Sequence, residues 1–113
     1  MSTSRVFELR TYQAAPGMGS RMHTRFRDHT LRIFRKHNME PLAFFSPTDG
    51  ANTEDTLIYL LGFESREAAE AAWTAFRADP EWQQVKAASE ANGTVVEKTE
   101  SVFLTAAPYS PMS

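Results

Sequence analysis

Near the start of the chain, Glu8, Arg10 and Tyr12 alternate within Phe7-Glu8-Leu9-Arg10-Thr11-Tyr12. On an extended strand they project from one face, about 7 Å apart. A carboxylate, a permanent cation and a phenol in one row suit oxyanion chemistry. Arg10 can hold an anionic group, and Tyr12 can donate to an enolate or carbonyl oxygen. The row also suits a buried structural network, with Glu8 paired to Arg10 or to Lys98 of the last strand. The three histidines, His23, His29 and His37, lie in the next segment. At about 100° per residue His23 and His37 fall near its apolar stripe. His29 falls between that stripe and the arginines, where an imidazole could move a proton. His37, near the helix end, also suits the helix dipole. Their spacing is too long for a two-histidine metal site on one helical turn, so no metal is expected. The catalytic candidates are His29, Tyr12 and Arg10.

Aromatic residues are the second signal. Phe26, Phe44, Phe45, Tyr59, Phe63, Trp73, Phe76, Trp82 and Phe103 supply flat apolar surface, most of it for a core. Phe26, Phe45, Tyr59, Trp73 and Phe76, with Glu8 beside them, are the candidates for lining a pocket that holds a planar aromatic ligand. The five glycines are scattered in turns, with no phosphate-binding loop, dinucleotide fingerprint or nucleophile elbow. No cofactor is expected.

Hydrophobic spacing predicts the strands and helices that carry these residues. Arg5 to Tyr12 reads as a strand that Pro16-Gly17 ends. Met18 to Asn38 reads as a helix, with Met22, Phe26, Thr30, Ile33 and His37 on one stripe and Arg21, Arg25, Arg32 and Lys36 outside. Asn38 can close it in a left-handed cap. Pro41 to Ser46 is a second strand, Pro47 to Asp55 a surface loop, and Thr56 to Phe63 a strand apolar on both faces. Ser65 caps a helix to Arg77, Asp79-Pro80 starts another, and Val95 to Thr105 is the last strand. The order is a ferredoxin-like split βαβ, with both helical layers on one face of a four-stranded antiparallel sheet. The other face needs a cover, and a second copy of the sheet in a homodimer supplies it.

Phe7 to Tyr12, Pro16-Gly17, the helix with Phe26 and His29, Pro41 to Pro47, Asp79-Pro80-Glu81-Trp82 and Ala107-Pro108-Tyr109-Ser110-Pro111 together resemble the NIPSNAP family over nearly the whole chain. The resemblance implies a dimeric α+β barrel of ferredoxin-like subunits, a single domain over residues 1–113, and a histidine commonly at the position of His29. Barrels of this kind include cofactor-independent monooxygenases and cyclases, an analogy of fold only.

The 113 residues carry a formal net charge of -2 and no cysteine, so disulfides and thiolate chemistry are excluded and nucleic acid is not an expected partner. The charge is uneven: the chain up to Asn38 sums to +6. No apolar run is long enough to span a membrane, no signal peptide stands at the start, and the expected location is cytoplasmic. Two readings remain. One is a homodimer that binds an apolar or aromatic small molecule and acts on it by proton transfer, cyclisation or oxygenation. The other is a non-catalytic binding or protein-interaction module.

Overall fold

The computed structural model describes residues 6–112; Arg5, expected to open the first strand, lies outside them. Strands β1 (Val6–Ala14), β2 (Glu40–Phe45), β3 (Thr56–Phe63) and β4 (Val96–Leu104) form one antiparallel sheet in the order β2-β3-β1-β4. Helices α1 (Gly19–Arg25) and α2 (Leu31–Lys36) are joined by a π-helical turn, Phe26–Thr30, and α3 (Arg66–Ala78) is followed by α4 (Pro80–Ser89). This is the expected ferredoxin-like α+β arrangement.

The local chemistry that sets these boundaries is visible in the side chains. Ser65 Oγ accepts from the Ala68 amide at 3.0 Å and caps α3. Asp79 Oδ1 accepts from the Glu81 amide at 2.8 Å and caps α4, whose first residue is Pro80. Asn38 closes α2 with φ 61°. At Gly19 a Cβ would collide with the backbone oxygen of Glu54, and the Gly19 amide donates to Asp55 Oδ1 at 2.9 Å. The start of α1 is thereby fastened to the turn that feeds β3.

One expectation fails inside the first helical segment. The π turn inserts a residue into the helical repeat, and Thr30 Oγ1 donates to the Arg25 carbonyl at 3.2 Å. One added residue rotates the rest of the helix by about 100°. Arg21, Arg32 and Lys36 lie outside as expected, whereas Arg25, expected beside them, is only 5% exposed because Trp82, Ser89 and Glu90 lie against it.

The core fills the space between the helices and one sheet face. It comprises Met22, Phe26, Ile33 and Phe34 from the first helical segment, Leu57, Tyr59, Leu61 and Phe63 from β3, and Ala69, Trp73 and Phe76 from α3. On the opposite sheet face Leu9 lies between Leu60 and Val102. Phe45 is paired with Ile58 there, leaving an apolar surface on which Phe45 is 55% and Val102 49% exposed.

Candidate functional site

Alternation along β1 places Glu8, Arg10 and Tyr12 on the helix side of the sheet, where the partners wait. Glu8 is 2% exposed. Its Oε1 accepts from Trp73 Nε1 of α3 at 2.7 Å. Its Oε2 accepts from Arg10 Nη1 at 2.7 Å and from Ser101 Oγ of β4 at 2.6 Å. Arg10 Nε donates to Tyr59 Oη at 2.9 Å, Arg10 Nη2 donates to Tyr12 Oη at 3.2 Å, and Tyr59 Oη donates to Tyr12 Oη at 2.9 Å. The guanidinium also lies over the Trp73 ring, 4.1 Å from its centroid. Lys98, the other candidate partner for Glu8, stands instead beside Glu100 at 3.9 Å.

The network has a direction. Burial works against the Arg10 charge, but the oxygens of Tyr12 and Tyr59 and the bond to Glu8 outweigh it and raise its pKa. Burial, helped by Tyr12, pushes the Tyr59 hydroxyl well above the usual phenol value against the opposing pull of Arg10. Tyr59 Oη accepts from Arg10 and donates to Tyr12. With Arg10 and Tyr59 occupying the lone pairs of Tyr12 Oη, the Tyr12 O–H has no acceptor among the described residues. A phenol polarised by a cation and left with a free proton is a donor for a ligand oxygen. Arg10 and Tyr12 are partly buried, and their neighbours on the edge strand β4, Ser101 and Thr99, are exposed.

The remaining candidates divide. Phe26 meets Tyr12 edge-on at 5.5 Å and Tyr59 at 5.2 Å; Phe44 stacks on Tyr59 at 5.1 Å. Trp73 and Phe76 continue the same aromatic layer, 5.5 Å apart. Phe45 does not join them, because it follows Phe44 on the strand and points to the far sheet face. His29 is also apart: it is exposed on the π turn, and its Nδ1 lies 3.1 Å from Arg32 Nη2. A guanidinium can only donate, so Nδ1 is the acceptor and Nε2 carries the ring proton. His37 Nε2 lies 2.7 Å from Asp79 Oδ2, binding the end of α2 to the cap of α4. Among the described residues no three histidine or acidic side chains gather as a metal site, and no helix is long and apolar enough to cross a membrane.

Two participants are not legible in the sequence. Ser101 holds Glu8 from an exposed position, which only the β1–β4 register reveals. Arg25 is covered by Trp82, Ser89 and Glu90, which are distant in sequence and which helical spacing alone does not bring beside it.

Comparison with known proteins places this geometry. No curated protein matches. A NIPSNAP family protein of unknown function from Agrobacterium tumefaciens is 19% identical, with a TM-score of 0.82 over 100% of this chain and 97% of that one. An uncharacterised NIPSNAP domain protein from Burkholderia xenovorans is 22% identical, with a TM-score of 0.78 over 94% of this chain and 98% of that one. SnoaB, a cofactor-independent oxygenase from Streptomyces nogalater, is 14% identical, with a TM-score of 0.62 over 96% and 98%. At these identities the likeness is one of fold. The NIPSNAP family model matches residues 7–111, from the strand that carries the charged row to the proline-bracketed tail, and the chain belongs to the NIPSNAP family.

Proposed function

We propose that the protein is a homodimer whose subunits each bind a planar aromatic or polyketide-like small molecule through an oxygen that carries negative charge. The observation that supports this most strongly is the unused O–H of Tyr12, polarised by Arg10 and Tyr59 beside the exposed residues of β4. Such a donor stabilises a phenolate or enolate as it forms, the step that proton transfer, cyclisation and cofactor-independent oxygenation share. Tyr12 and Arg10 are thus the residues proposed to meet the ligand oxygen, and Phe26, Tyr59 and Trp73 are packed in the core behind them. Glu8 positions Arg10 rather than acting as a base, since it already accepts three hydrogen bonds. The fold likeness to a cofactor-independent oxygenase supports the reading by analogy. The second sheet of the dimer would cover Leu9, Phe45, Leu60 and Val102.

A second reading, binding without catalysis, draws on the absence of a free base in this cluster among the described residues, with His29 standing outside it. One probe separates the two from inert scaffolding. Alizarin, a planar hydroxyanthraquinone, reports its own ionisation by colour. Saturable binding that moves its colour change down by about one pH unit, equivalent to tenfold preference for the phenolate, is the expected result, and Tyr12→Phe should remove the shift. Equal behaviour in wild type and Tyr12→Phe would refute the assignment. Proton exchange from anthrone, an enolisable relative, then distinguishes catalysis from binding.

A further inference from the structure

A separate groove runs between α1, the π turn and α4, with a volume near 430 Å³, and Arg21, Arg25, His29, Val85, Ala88 and Ser89 are among its lining residues. Arg25 is the unusual member. Its side chain is 4% exposed, yet its Nε has no hydrogen-bond partner among the described residues. Its polar neighbours there are Ser89 Oγ at 3.1 Å and Glu90 Oε2 at a loose 3.6 Å, both from Nη1. The guanidinium otherwise lies 5.2 Å from the Trp82 ring centroid.

A buried cation so sparsely paired is costly, and an apolar side chain of similar length would be at least as stable in its place. Burial accordingly pushes the Arg25 pKa down, against the pull of Glu90. Arg21 adds a second positive charge to the groove, so that with Glu90 counted the three groups leave an excess of one. Beside these charges lie the aliphatic surfaces of Val85 and Ala88. A ligand that satisfies the whole groove therefore carries one negative charge at one end and an apolar body at the other.

We infer that this groove binds a small organic monocarboxylate, its carboxylate held by Arg25 and its hydrocarbon part lying along Val85 and Ala88 of α4. His29, through the proton on Nε2, and Arg21 stand at the groove as further donors. The site lies outside the Tyr12 cluster, although Arg25 is close enough to Tyr12 and Tyr59 to feel their oxygens.

The test is an amide NMR titration of the full-length protein with sodium hexanoate and, separately, with inorganic phosphate. Hexanoate should give saturable shifts at Arg25, Ala88 and Ser89, with Ser101 unmoved. Arg25→Met should weaken hexanoate by at least about tenfold, as expected for loss of a charge-assisted hydrogen bond, with the melting temperature unchanged or higher. Ala88→Phe, at an exposed helix position, fills the apolar end and should weaken hexanoate with Arg25 intact, so the proposal stays testable should Arg25→Met fail to fold. Phosphate binding as tightly as hexanoate would overturn the organic carboxylate assignment. Absence of saturable hexanoate shifts, or shifts unaffected by both substitutions, would overturn the site altogether.

Discussion

Trp73 Nε1 donates to Glu8 Oε1 at 2.7 Å in the buried interior, fixing α3 to β1 through a single hydrogen bond. That contact explains how a strand can turn its charged row toward the helices. The helical layer supplies an indole donor for the carboxylate and an aromatic face for the guanidinium, so the charges are buried with partners.

Trp73→Phe should keep most of the aromatic packing and leave Glu8 one donor short. The expected loss is about 1–3 kcal/mol, read from urea unfolding at neutral pH. An unchanged midpoint would mean that Glu8 is satisfied without Trp73.

Arg10→Met removes the cation and strands the Glu8 carboxylate, an event that costs about 3–5 kcal/mol for a buried pair. The double variant Glu8→Gln with Arg10→Met should recover much of that loss. Equal stability of single and double variants would show that the two charges are not coupled.

The legibility of the sequence differs from element to element. β3 is readable to the residue, because an unbroken Leu57-Ile58-Tyr59-Leu60-Leu61 run admits little else, and Ser65, Asp79 and Asn38 announce their caps by type. The row Glu8-Arg10-Tyr12 is recognisable, but its side of the sheet is not. Alternation fixes which residues share a face, whereas the choice of face depends on Tyr59, Trp73 and Ser101, which are distant in sequence. The helical repeat puts His29 at the edge of the arginine face, and it stands there beside Arg32; what the repeat does not tell is how far that face lies from Tyr12 and Arg10.

Asp79 joins the end of α2 to α4: its carboxylate caps α4, meets Lys36 Nζ at 2.8 Å and meets His37 Nε2 at 2.7 Å. The hydrogen bond from Lys36, then that from His37, holds its pKa far below the ordinary carboxylate value. A depressed folded pKa gives stability that is fully present above the unfolded value, near about 3.9, and is lost as pH falls toward the folded value. Melting temperature should therefore drop below about pH 4. Asp79→Asn, which retains a capping oxygen, should show a shallower drop over that range in circular dichroism melts.

The proposed dimer makes its own prediction. Val102→Glu places a charge on the exposed apolar sheet face of both copies while leaving the helix-side core untouched. Sedimentation equilibrium should show a dimer for wild type and a monomer for the variant, with the far-ultraviolet spectrum retained. A variant that stays dimeric would place the interface elsewhere.

The proposed function rests on Tyr12 offering its proton to a ligand oxygen on the β4 flank, and a crystal structure of the protein with alizarin bound would show whether it does. The expected result is a phenolic oxygen of the ligand within hydrogen-bond distance of Tyr12 Oη, close to Arg10 and to the exposed Ser101. Alizarin bound at any other place, with Tyr12 Oη donating to a protein atom, would refute that role.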